Sequence, residues 1–466
     1  MLSQITKNQD QTKMKLTLAL SLTSLLGIGL VLAIINGPLS AAVIIIALVT
    51  ILIFILKTEW GVYLIILSLV SGQLVRIPLT GTSAIQPTDI LVVILVSIWL
   101  IKKIILNQKI KSTFIGPFLC VFLSIAFISL INGLRFLDTD QAIISFFYLI
   151  RIASYMTLFF IGADIFSQQK KIYTLEKILL SAFFVIAAIG IVQVIVFPSL
   201  AKWAALYGWD PHMGRLFSTF LDPNFAGAFL VMGFIISLAF LFYAKSFEGR
   251  VALISASLLM LVAVILTYSR STYLFLFISF FVLSILRSKK FLLVGIVAII
   301  ILMLIFPKSL DRIQGGFSID ESARTRFKTW ENTLTIIKDH PMLGVGFNSF
   351  RYAQESYTFS KETTGGHAGA GSDSSLLFIF ATTGFFGLLS YLIFYFLALI
   401  KTKKTFNYSL SAQQKGIGLA LFSIMVGFLF HSVFVNSLFY PAIMAPFFLM
   451  LGLISAENKV SKITKH

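Results

Sequence analysis

The sequence predicts an all-α, polytopic integral membrane protein with about 12–14 transmembrane helices. Three observations carry that prediction. Hydrophobic residues make up 58% of the 466-residue chain, and its mean hydropathy is +0.94. Charged residues make up only 12%, about half the share in soluble domains. The apolar residues fall in repeated continuous runs, which suit bilayer-crossing helices and not the alternating segments of a β-barrel.

Taken in order, the candidate spans are roughly 16–36, 40–56, 61–75, 88–105, 113–132, 143–165, 175–197, 224–244, 251–268, 272–286, 291–306, 375–400, 415–433 and 438–455. Several are short, so one or two are expected to be re-entrant or paired differently. No cleavable signal stands out, and the first span is expected to serve as the targeting signal. No internal repeat, low-complexity tract or soluble domain is evident, so the chain reads as a single membrane domain over 1–466.

The net charge of +18 would suggest nucleic acid in a soluble protein. Here it follows from the enrichment of Lys and Arg in cytoplasmic loops. With Lys7, Lys13 and Lys15 in the cytoplasm, every second connection is basic. The series runs through Lys57, Lys102 and Lys103, Lys170 and Lys171, Lys245, Arg287 and Lys401 to Lys459 near the end. Both termini are therefore expected inside. The lone Cys120 excludes an intrachain disulfide or a cysteine metal site. The five histidines show no metal-ligand spacing, and no nucleotide-binding glycine loop or G-x-S-x-G elbow occurs.

On the opposite side, two connections are long, about 198–223 and about 307–374. The second is too long for a simple connector. Within it, "ESARTRFKTWENTLTIIKD" places Phe327, Trp330, Leu334 and Ile337 at helical spacing. This predicts a short amphipathic helix that lies along the membrane face or caps a cavity. His340-Pro341 ends it, and Gly344 and Gly346 begin a turn.

The informative polar residues are those away from the basic inner side. Arg215 precedes the eighth span, Arg270 lies in the connection between the ninth and tenth, and Arg324 and Arg326 lie on the loop helix. Arg151 lies inside the sixth span, where a charge must be paired or face water. Planar guanidinium forks suit phosphate or carboxylate, so their convergence would build an anion site. Each could instead pair with a local carboxylate or a lipid phosphate. In "HAGAGSDSSLLFIFATTGFFGLL", Asp373 stands at the mouth of the twelfth span, followed by Ser374 and Ser375. Asp373 either accepts a proton from a sugar hydroxyl or caps the helix. Asp222 and Asn224 around Pro223, and Asp89, read first as helix caps.

The segments "GRLFSTFLDPNFAGAFL", "LTYSRSTYL", "RFKTWENTLTIIKDHPMLGVGFNSF" and "SDSSLLFIFATTGFFGLL", in this order and with a long outer loop, resemble the O-antigen ligase and O-antigen polymerase superfamily of bacterial envelope glycosyltransferases. The resemblance spans roughly residues 205–400. It implies a GT-C type membrane fold in the cytoplasmic membrane and a donor glycan on polyprenyl diphosphate. It also implies inverting transfer to a hydroxyl at the outer face, with no cofactor and no metal. By position, Arg215, Arg270 and Arg326 would hold the diphosphate; in R-x-x-x-W it is Arg326, not Arg324, that matches. Arg151, Arg324, Asn224, Ser374 and His367 complete the expected substrate-binding set, beside Asp373 as proton acceptor.

One departure matters. Ligases of the superfamily carry His-Asn where this chain has Asp373 and Ser374, and His367 lies six residues too early. This favours a polymerase of lipid-linked repeat units for capsule, exopolysaccharide, O-antigen or teichuronic-type glycan over a ligase. The implied partners are the lipid-linked donor, the growing glycan acceptor, membrane lipids, a chain-length regulator and a flippase, and no nucleic acid. From other classes, a transporter of lipid-linked oligosaccharide or anions would show internal repeats and helices broken at mid-membrane. A non-catalytic scaffold for polysaccharide assembly is the third reading.

Overall fold

The computed structural model describes residues 38–80, 83–111, 113–166, 168–201, 210–314, 321–357, 359 and 371–455. The expected first span and His367 lie outside these residues. The other thirteen expected spans all fall on helices. In chain order these are α1 (Pro38–Leu56), α2 (Thr58–Ser68), α3 (Pro87–Ile105), α4 (Gly116–Gly133), α5 (Thr139–Ile165), α6 (Gln169–Val196), α7 (Pro223–Leu241), α8 (Phe247–Leu266), α9 (Arg270–Arg287) and α10 (Lys289–Ile305), then α14 (Ser375–Tyr408), α15 (Ala412–Phe434) and α16 (Pro441–Ser455). The long loop between α10 and α14 carries α11 (Pro307–Gln314), α12 (Glu321–Asp339) and α13 (Phe350–Ser356). The one departure from an all-helical chain among the described residues is a small antiparallel hairpin, β1 (Ile77–Thr80) and β2 (Ser83–Ile85).

Eight of these helices are long and apolar enough to cross a bilayer, fewer than the predicted 12–14. Length accounts for two of the other five. Apolar runs predict burial, but α2 has 11 residues and α16 has 15. At 1.5 Å per residue, neither reaches across a hydrocarbon core of about 30 Å.

The core is organised around α7, a helix apolar on every side and buried along nearly its whole length, as expected when no face must meet water or lipid. It packs against α8, α9 and α15. A second close pairing joins α5 and α16. Here Gly162 and Gly452 allow backbone contact: a Cβ on Gly452 would stand 2.2 Å from Phe159 O. Small residues at such crossings are how membrane helices gain packing energy without a hydrophobic driving force. By contrast, α10 has no fully buried residue and stands at the periphery.

The feature that places the loop is a break in α14. Gly384 takes φ +66°, ψ −168° within the helix, a conformation open to glycine and costly for other residues. The break frees backbone groups, and the Pro341–Gly346 turn takes them up. Phe385 N donates to Pro341 O at 2.8 Å, Val345 N to Ala381 O at 2.9 Å and Gly346 N to Thr382 O at 3.2 Å. Ser129 of α4 donates to both Leu343 O and Thr382 O, at 2.7 and 2.6 Å. The loop is therefore stitched into the bundle, which satisfies the requirement that backbone polar groups within a membrane protein find internal partners. Gly384→Ala would place its Cβ 2.1 Å from Met342 O. The predicted cost, from backbone strain and overpacking together, is roughly 2–5 kcal/mol. A thermal unfolding midpoint equal to wild type in detergent would refute this account.

The loop helix forms as predicted and ends at Asp339, but its packed face is not the expected stripe. Leu334 is 47% exposed, while Thr329, Asn332, Thr333, Ile336 and Ile337 are buried. The threonines hide their polarity locally: Thr329 Oγ1 donates to Thr325 O at 2.9 Å and Thr333 Oγ1 to Thr329 O at 2.6 Å. Buried hydroxyls satisfied within their own helix are invisible to a hydropathy pattern. Ile336 and Ile337 then join Val345, Phe350, Phe378 and Ala381 in a small separate core.

Candidate active site

The N-termini of α7, α9 and α14 and the C-terminal ends of α6, α8 and α15 meet at one end of the bundle. The structure accounts for each start. Asp222 Oδ1 caps α7, accepting from Asn224 N at 2.7 Å and Phe225 N at 3.1 Å, with Pro223 in the first turn. Ser269 Oγ caps α9 through Thr272 N at 3.3 Å and donates to Asn224 Oδ1 at 2.7 Å. Asn224 thus ties α7 to α9 beside Arg270. Five non-glycine residues here, His212, Ser218, Leu221, Tyr268 and Asp373, take positive φ; such backbone strain collects at functional sites.

The α14 cap removes one of the alternatives for Asp373, that of helix cap. Ser374 is the N-cap, accepting from Leu377 N at 3.4 Å and donating to Ser432 O at 3.3 Å. Ser375 reaches the same strand of chain, donating to Val435 O at 3.0 Å. Asp373 sits one residue outside the helix, and its carboxylate is not the cap. Burial pushes its pKa up, Arg326 pulls it down, and Asp222 raises it further. A buried carboxylate facing a guanidinium is a stronger base than an exposed one, and the guanidinium favours its ionised form.

Two of the predicted arginines share a cavity. It has a volume of about 660 Å³ and is bounded by α9, α10, α12 and Phe434 at the end of α15. Arg270 and Arg326 supply its cationic groups, Ser271 and Tyr273 its hydroxyls, and Leu274, Phe277, Ile296, Ile300, Met303 and Phe327 an apolar remainder. Trp330 also lines it, in a tilted contact with Phe434 at 5.9 Å. Around the same end, Trp330 Nε1, His431 Nε2 and Asn436 Oδ1 are buried without a hydrogen-bond partner among the described residues. His431 is otherwise held by Ser437 Oγ at 2.9 Å from Nδ1. Among the described residues, no group of three or more His, Cys, Asp or Glu side chains stands close enough to hold a metal ion.

Arg215 does not line the cavity. Its Nε donates to Thr267 O at 3.0 Å, and burial lowers its pKa to about 10 against the opposing pull of Asp222, with Arg312 adding repulsion. His212 packs beside it, Nε2 lying 3.9 Å from Asp222 Oδ2.

Among the described residues of the expected set, Arg270 and Arg326 line the cavity, Arg215, Asp373, Asn224 and Ser374 do not, and Arg151 and Arg324 are also placed elsewhere. Arg151, near the middle of α5, pairs with Asp89 at 3.0 Å, and Tyr155 donates to the same carboxylate oxygen at 2.9 Å. Its charge is matched inside the bundle. Asp89 also completes a capping box at the start of α3, accepting from Gln86 N at 2.9 Å. Arg324 is exposed and is not on the cavity wall. Lys308 and Arg312 on α11, a basic pair four residues apart in the long loop, were not singled out from the sequence.

Residues 255–392 match the family model Wzy_C, described as O-antigen ligase. That stretch includes Arg270, Arg324, Arg326 and Asp373 and stops short of Arg215 and Arg151 to its N-terminal side. No curated protein matches the chain. The cavity-lining Arg270 and Arg326 and the break in α14 fall within the matched stretch, which is similar to the O-antigen ligase family over residues 255–392, in keeping with the resemblance of the sequence motifs.

Proposed function

We propose that the protein is a polymerase of polyprenyl-diphosphate-linked oligosaccharide repeat units for a surface polysaccharide, acting by inverting glycosyl transfer at the outer face of the cytoplasmic membrane. The observation that carries this reading is the cavity itself: two arginines in a wall that is largely apolar, with Asp373 in electrostatic reach of Arg326. An isoprenoid chain with a charged head suits such a lining. The peripheral position of α10 gives that chain access from the bilayer.

In the proposed reaction an acceptor hydroxyl attacks the anomeric carbon on the face opposite the diphosphate. The new glycosidic C–O bond forms as the bond to the diphosphate oxygen breaks. The hydroxyl proton passes to the Asp373 carboxylate. Arg215, Arg270 and Arg326 stabilise the charge that develops on the leaving diphosphate, and preorganised charge of this kind is commonly the largest contribution to rate. The unpartnered polar atoms of Trp330, His431 and Asn436 are suited to sugar hydroxyls, since buried polar groups rarely stay unbonded.

The family description names a ligase, so transfer to a lipid or protein acceptor is the second reading. Asp373 and Ser374, where the resembling ligases carry His-Asn, favour the polymerase. A transporter would also use a broken helix. Here, however, the freed groups around Gly384 are taken by the chain's own Pro341–Gly346 turn, which leaves little for a transported ion. The deciding experiment is purified protein in vesicles with a defined lipid-linked repeat. Products longer than one repeat are expected. Movement of the substrate across the bilayer without extension would replace the enzyme reading with a transporter.

A further inference from the structure

The start of α11 places a second group of cations beside the segment that carries Arg215. Ser309 Oγ donates to Phe306 O at 2.7 Å and Met303 O at 3.2 Å, and Met303 lines the cavity. This joins α11 directly to the cavity wall. One residue earlier, Lys308 Nζ donates to Met213 O at 3.2 Å and stands 5.0 Å from the Tyr268 ring centroid. It also lies 2.9 Å from where a Cβ on Gly214 would sit. The ammonium is therefore packed against the segment that carries Arg215. Arg312 follows Lys308 by one helical turn.

Electrostatics agree with this placement. Arg312 and Arg215 both depress the pKa of Lys308, below the effect of burial. Arg312 also acts on Arg215. Asp210 and Asp222 act on Arg215 in the opposite direction. Asp222 already spends one oxygen on capping α7. Lys308 has a neutral carbonyl and an aromatic face as partners, while its ammonium carries three donors. Lys308 is exposed, and like charges held near one another repel, a cost that a polyanion relieves.

Resting on the diphosphate reading above, we propose that Lys308 and Arg312 join Arg215 in binding the phosphate end of the lipid-linked donor and thereby select a diphosphate over a monophosphate. A diphosphate carries more charge and more acceptor oxygens, so added cations favour it differentially, with Arg312 supplying a planar fork and Lys308 a point charge.

The test uses the purified full-length chain titrated with farnesyl diphosphate and with farnesyl monophosphate. Wild type is expected to prefer the diphosphate. The Lys308→Gln/Arg312→Gln double variant is expected to lose about 10–100-fold in diphosphate affinity and most of the preference, with monophosphate binding nearly unchanged. Lys308→Arg and Arg312→Lys should keep the preference, which separates lost charge from misfolding. Wild-type affinity and preference in the double variant would overturn the inference while leaving the diphosphate site standing. Failure of the wild-type protein to bind either lipid would overturn both.

Discussion

Asp373→Asn is expected to lower the rate of chain extension by roughly 10²–10⁴-fold, the usual contribution of a positioned proton acceptor, while the lipid-linked repeat still binds. The substitution is nearly isosteric and leaves the helix start intact, because Ser374 and not Asp373 caps α14. A stability loss is therefore not the expected cause of inactivity. Wild-type extension rates in the Asn variant would reduce Asp373 to a turn residue.

The same group sets a pH signature. Its pKa is raised by burial, and only the ionised carboxylate accepts a proton. Activity should therefore fall as pH drops through that raised value, at a higher pH than an exposed aspartate would give. Arg326 favours the ionised form and Asp222 opposes it. Arg326→Gln should shift the acidic limb of the kcat/KM profile upward, and Asp222→Asn should shift it downward. Limbs that coincide in all three proteins would show that another group controls the profile.

Arg270→Ala and Arg326→Ala are expected to reduce kcat/KM by roughly 10²–10³-fold each, the range for losing one preorganised donor to a developing anion. Both side chains line one cavity, so the paired substitution should cost less than the product of the single effects. Lysine at either position should restore part of the activity, since it returns the charge without the fork. Arg324→Ala, on an exposed position of the same helix, serves as the control and should stay within about twofold of wild type. An equal loss in Arg324→Ala, or none in the two cavity variants, would remove the anion-site assignment. Extension measured at saturating and limiting donor concentrations separates weaker binding from a slower chemical step.

The sequence alone determined where the thirteen described apolar helices lie. A backbone in lipid must bond to itself, so each apolar run of helical length becomes a helix whatever surrounds it. It also determined the cap at Asp222, the end of the loop helix at His340-Pro341 and the glycine turn after it, because those choices depend on a few neighbouring residues. Tertiary structure alone decided which polar groups meet. Arg151 and Arg270 were both expected from the sequence to join one anion site. One is taken by Asp89, 62 residues away in the chain, at 3.0 Å, and the other shares a cavity with Arg326. The break at Gly384 sets the seat of the loop, and threonines buried by local hydrogen bonds turn α12 away from its apolar stripe. Lys308 and Arg312 gained their setting only when α11 folded onto the Arg215 segment. The physical reason is one of range: helix formation and capping are decided within a turn or two of chain. The convergence of charges depends on packing angles, breaks and buried partners supplied by residues far away in sequence.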